Sequence, residues 1–220
     1  MTLLREITIL VKKDVQLEWK QKHALNGLLL YVAATIFVCY LSFKQIVDVP
    51  TWNALFWIIM LFAAINASAR NFSSERKGLL LYYFTIASPQ AVILSRMLYN
   101  AILLCLISLI AFFIYSLFIG NPVQDMTVFF LALLIGSFGL SSVLTLVASI
   151  AAGASSNLTL MAVLGFPVVI PLLLTLIRFS KNAIDGIDLS VNLPYAGGVL
   201  AINIIAIALG WILFPFLWKN

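Results

Sequence analysis

Six apolar runs, at about 24–43, 52–69, 97–119, 127–152, 158–177 and 195–217, leave this chain few options. Each approaches or exceeds the roughly 20 residues that cross about 30 Å of hydrocarbon as a helix. In lipid only helices and closed barrels satisfy their own backbone. These runs are continuous rather than alternating, so they are helices. Hydrophobic residues make up 63% of the 220 and charged residues 10%, against about 25% charged in a soluble domain. Too little polar surface exists to cover a water-soluble body, which sets aside disorder, a disulfide scaffold and a cytosolic enzyme. The sequence specifies an all-α polytopic membrane protein, one transmembrane domain over 1–220.

Residues 2–22 precede the first run. Leu4, Ile7, Val11 and Val15 recur at helical spacing, while Arg5, Lys12, Lys13, Asp14, Glu18, Lys20 and Lys22 interrupt any span. With Trp19, this pattern suits an interfacial helix. The charged region is too long for a signal peptide, and no small-residue cleavage site closes the apolar run behind it. Trp52, Trp57, Trp211 and Trp218 lie near run ends, where interfacial aromatics are expected.

With six spans both termini share a side. Ten Lys and Arg fall on that side and three on the other, Lys44, Arg178 and Lys181. The bias of basic residues toward the cytoplasm places both termini there. It also accounts for the net charge of +5 without nucleic acid as a partner. Two connections are long, 70–96 inside and 178–194 outside.

The segment from Arg70 to Pro89 is the most informative. Ser73 or Ser74 can cap a helix with Glu75, Arg76 and Lys77 in its first turn. Leu80, Tyr83 and Phe84 follow as an apolar stripe, and Ser88-Pro89 starts a turn. The expectation is an amphipathic helix over 72–87. It either lies against lipid or docks into a groove on a cytoplasmic partner.

Two spans carry patterns of their own. Ser137, Ser141, Thr145, Ser149 and Gly153 recur every fourth residue in the fourth span. Small residues at this spacing let helix backbones approach closely. The stripe serves packing within one chain, or else a subunit interface or substrate path. Pro167 and Pro171 in the fifth span remove two helix donors. A kink or break is expected there, either structural or as a moving element of a transporter.

No Asp or Glu stands at the centre of a span, which argues against ion-coupled secondary transport. The phosphate loop of a nucleotide-binding subunit is missing. His23 is the single histidine, so no Ser/His/Asp set and no multi-histidine metal site arises from this chain. Cys39 and Cys105 sit inside apolar runs without C-x-x-C spacing and fit as small buried hydrophobes. The chain is not expected to be an enzyme, and no metal site is expected.

These features together resemble the membrane subunits of ABC-2-type ABC exporters, and most closely the haem (heme) exporter protein B, or CcmB, family. The resemblance covers nearly the whole chain. It rests on Lys13-Asp14-Val15-Gln16-Leu17-Glu18, on Arg70, Phe72, Glu75, Gly78 and Leu80, and on the Ser88-Pro89 turn followed by Arg96. The pair Pro167 and Pro171 in Phe166-Pro167-Val168-Val169-Ile170-Pro171-Leu172-Leu173 is its most specific element. Arg76-Lys77-Gly78 replaces acidic residues usual in the family.

The resemblance implies a permease-like subunit of an ABC transporter complex in haem trafficking for cytochrome c biogenesis, in the bacterial inner membrane. It implies a separate cytoplasmic ATPase coupled through Arg70, Phe72, Glu75, Arg76, Gly78, Leu80 and Pro89. Haem-handling membrane subunits and a second copy of the chain are further implied partners. Haem would be handled by the complex, with no cofactor bound by this chain. The alternatives are an ABC-2 permease exporting a lipid, glycan or drug, and a membrane scaffold that transports nothing.

Overall fold

A computed structural model describes residues 3–21, 23–43, 48–73, 87–153 and 158–217. Seven helices account for nearly all of them, with no strand among the described residues: α1 Leu3–Gln21, α2 His23–Ser42, α3 Val49–Ser73, α4 Pro89–Ile119, α5 Met126–Gly153, α6 Leu158–Ile184 and α7 Leu189–Leu217. Six of them, α2 to α7, are long and apolar enough to cross a membrane. The face where α1 and α7 end the chain is called here the terminal face.

Helix α5 is the hub. It packs against α3, α4, α6 and α7, and most of its span is buried, whereas α2 and α7 show most of their surface to the surroundings. In lipid, association rests on close packing and interhelical hydrogen bonds rather than on expulsion of water. The hub is accordingly rich in Gly, Ala, Ser and Thr among its larger apolar residues.

At the face opposite the termini an aromatic cluster joins α3, α4 and α5. The Trp52 ring meets Tyr115 at 4.9 Å, and Phe112 meets Phe129 at 4.9 Å, with Phe56 between them. Trp52 and Trp57 are each only 1% exposed. Their placement differs from the interfacial belt expected of run-end tryptophans. Each indole N–H finds a partner in the chain: Trp52 Nε1 donates to Gly120 O at the end of α4 (3.0 Å) and Trp57 Nε1 to the buried Ser180 Oγ (2.8 Å). Asn53 Nδ2 donates to Ile177 O at 2.7 Å and holds α3 on α6. Trp211 is exposed, and Trp218 lies outside the described residues.

The long connection 178–194, on the face opposite the termini, is mostly helical. Helix α6 continues past Arg178 and Lys181, with Lys181 paired to Asp185 one turn on. It then closes in a Schellman motif: Ile187 N donates to Asn182 O (2.9 Å), Gly186 N to Ala183 O (3.4 Å), and Gly186 has φ +70°. Glycine is the residue that adopts this conformation without a Cβ clash. The loop before α5 is stitched to the same end, Asp125 N donating to Ala183 O at 3.0 Å. The Asp125 carboxylate caps α5 through Thr127 N and Val128 N.

Of the kink or break expected in the fifth span, helix α6 has no break: it runs as one helix through Pro167 and Pro171. Both prolines lie on the exposed face among Phe166, Val168, Ile170 and Leu174. A displacement of the backbone at either ring is therefore taken up on the exposed side, away from the packed face. At four residues apart, the two lost donors fall on a single face, and the ladder on the buried face through Val169, Leu172 and Leu176 is intact.

Candidate functional site

The terminal face carries the segment that the sequence marks for docking. Arg70 stands half-buried in the last turn of α3. Phe72 and Ser73 belong to the same last turn, with Ser73 the final residue of α3. Pro89 is the first residue of α4, where its fixed φ suits the helix start and its missing N–H costs nothing. Glu75, Arg76, Gly78 and Leu80, and most of the expected helix 72–87, lie outside the described residues.

Ser88 precedes Pro89 in an extended conformation (φ −69°, ψ 141°), and its side chain does not cap α4. It turns to α1 instead. Ser88 Oγ donates to Glu6 Oε2 at 2.7 Å, and Ser88 N donates to the same oxygen at 3.2 Å. Both bonds favour the charged carboxylate and hold Glu6 below the ordinary carboxylate range.

A second carboxylate anchors the other end of α1. Glu18 Oε1 accepts from Leu25 N at 2.6 Å, and Glu18 Oε2 accepts from Tyr99 Oη at 3.0 Å. Leu25 is in the first turn of α2, so Glu18 satisfies a free helix N–H and places negative charge at a helix N-terminus. Twelve residues separate Glu6 from Glu18, about 18 Å of helix, and eleven separate Ser88 from Tyr99, about 17 Å. Helix α1 thus lies alongside the first three turns of α4, in the same direction. The pattern of residues 2–22 gave an interfacial helix, and the helix it packs on most is α4. Glu18 closes the Lys13–Glu18 stretch on which the family resemblance rests, but nothing in that stretch named its partners, and Glu6 carried no motif; only their separation, close to that of Ser88 and Tyr99, could have hinted at their role.

An apolar groove of about 300 Å³ opens beside this junction, between Val15, Trp19, Leu25, Ile102, Leu103 and Leu106, with Glu18 at its edge. A second, of about 240 Å³, lies between α3, α5 and α6, lined by Leu61, Asn66, Leu144, Met161, Phe166 and Val169.

The small-residue stripe of α5 faces α4. Ser137 Oγ lies 3.2 Å from Ser108 Oγ, Ser141 Oγ donates to Met97 O at 2.7 Å, and Asn100 Nδ2 donates to Thr145 Oγ1 at 2.8 Å. Ser149 turns back onto Leu146 O of its own helix at 2.6 Å. Gly153 is the last residue of α5. One position along, Ser142 bonds the side-chain amide of Asn203 on α7. The stripe is a seam inside one chain, with its hydroxyls occupied. Sequence periodicity marked the residues but not the neighbour they meet.

Among the described residues no group of three or more His, Cys, Asp or Glu gathers as metal ligands do. Cys39 and Cys105 are free thiols, each half-buried in a span.

A family model described as CcmB protein matches residues 5–215, nearly the whole chain. No curated protein and no solved structure matches it.

Proposed function

From the premise that this chain belongs to the CcmB protein family, we propose that it is the permease-like subunit through which a separate ATPase acts in haem trafficking for cytochrome c assembly. Membership makes it a membrane subunit of a haem-exporter ABC system, permease-type rather than catalytic. The match over 5–215 carries the reading, because it takes in all six spans and the connection between α3 and α4 at once.

In this reading the cytoplasmic ATPase docks on the segment from Arg70 to Pro89, using Arg70, Phe72, Glu75, Arg76, Gly78 and Leu80. The charged start and apolar stripe of that segment support it, as does the absence of a phosphate loop from the sequence. The ten-to-three division of Lys and Arg supports both termini in the cytoplasm of an inner membrane. Haem is handled by the assembled complex, and its iron is ligated by partner subunits. Axial ligation draws on His, Cys, Met or Tyr. The single histidine of this chain, His23, falls on the cytoplasmic side, and the long outer connection 178–194 contains no His, Met, Cys or Tyr.

Deletion of the gene tests the reading. The expected result is loss of c-type cytochromes with b-type cytochromes retained. Normal c-type cytochromes in the deletion strain would overturn it in favour of export of a lipid, glycan or drug.

A further inference from the structure

We propose that α1 is a coupling strut, and that Glu6 and Glu18 are positioning residues which carry displacement of the docking segment into α2 and α4. This rests on the docking reading above, since Ser88 is the residue by which that segment enters α4. It gives Glu6 and Glu18, which lie outside that segment, a role of their own.

The geometry has three parts. Glu6 takes two hydrogen bonds from Ser88, one from the side chain and one from the backbone. A serine hydroxyl that bonded its own helix would leave the segment free to pivot at Pro89. Bonded to Glu6, and with its carbonyl accepting from Val92 N at 3.1 Å, Ser88 ties α1 to the first turn of α4. The second part is stiffness. Nineteen helical residues run from Leu3 to Gln21 without proline or glycine, and Leu10 packs against the buried core along the way.

The third part is the far anchor. Glu18 joins α1, the first turn of α2 and the buried Tyr99 of α4 through one carboxylate. A shift applied at Ser88 therefore arrives about 17 Å away along the helix, at the first turn of α2 and the third turn of α4. Exposed charged residues are expendable when their carboxylates meet only water. Here both acids are taken up by hydrogen bonds that bridge separate elements, and charge-assisted bonds of this kind are the stronger class.

The experiment uses the full chain, assembled with its ATPase and partner subunits, purified from cells and returned to lipid. Glu6→Ala removes both bonds to Ser88. Ser88→Ala removes one and keeps the backbone bond. Ser88→Thr keeps the hydroxyl. Co-purified ATPase and thermal stability report assembly; ATP hydrolysis and c-type cytochrome level report coupling. With assembly unchanged, Glu6→Ala lowers output by about 2- to 30-fold, the range of mutations along a coupling element. Ser88→Ala lowers it less, the double variant matches Glu6→Ala alone, and Ser88→Thr recovers the wild-type level. Output unchanged in Glu6→Ala, or losses that multiply in the double variant, would overturn the strut. If the wild-type chain brings down no ATPase, the docking reading itself has failed, a result distinct from either.

Discussion

Trp57 of α3 lies against Gly136 of α5 so closely that a β-carbon on the glycine would stand 2.5 Å from Cη2 and 2.8 Å from Cζ3 of the indole. The ring cannot retreat freely, because its N–H is held by Ser180 of α6 and it is buried on all sides. Gly136 is thus the point where three spans meet. Gly136→Ala should destabilise the bundle by about 1–3 kcal/mol, the usual cost of overpacking. Thermal unfolding in detergent measures it. In a Trp57→Phe background, where the ring is smaller, the same change should cost less.

Asn100 and Thr145 form the central bond of the α4–α5 seam, 2.8 Å long and fully buried. A double-mutant cycle with Asn100→Ala and Thr145→Ala should give a coupling near 0.6 kcal/mol, as for hydrogen bonds between membrane helices. A coupling near zero would show that other partners take over when either side chain is lost.

Acid should loosen α1. The folded-state pKa of Glu6 lies below its ordinary value, chiefly through the Ser88 side-chain bond and then the backbone bond. A depressed carboxylate contributes stability that is complete above its unfolded pKa. That contribution is lost as pH falls through the folded one. Carbon-13 NMR of labelled Glu6 should show a midpoint below the normal carboxylate range, moving back toward it in Ser88→Ala. An upward-shifted midpoint in the wild type would contradict the geometry.

Pro171→Ala should leave the unfolding midpoint unchanged or raise it, because α6 already runs continuously past this exposed position and alanine restores a helix donor. A fall of several degrees would show that the proline ring packs against something.

Much of the architecture was legible from residues alone. Six runs without a central acid gave six membrane helices, since the bilayer leaves an apolar run no other solution. The ends of those runs were less legible. Helix α4 begins at Pro89 and α6 reaches Ile184, because Arg96, Arg178 and Lys181 stop a hydropathy count but not a backbone ladder. The prolines of α6 suggested a break because the donor loss is visible in sequence, while the packing that tolerates it is not. Trp52 and Trp57 suggested a membrane belt for the same reason: position in a run says nothing about which neighbour accepts the indole N–H. The Glu6–Ser88 and Glu18–Tyr99 contacts join residues about eighty apart in the chain, beyond any local pattern.

The central claim is that a nucleotide-hydrolysing subunit docks on the segment between α3 and α4. A photo-crosslinking residue at Leu80, activated in native membranes and followed by mass spectrometry of the adducts, tests it most directly. The account predicts a covalent adduct with an ABC ATPase, absent when the same probe replaces Leu189 at the opposite end of the bundle. Adducts with lipid alone, or ATPase adducts only from Leu189, would contradict it.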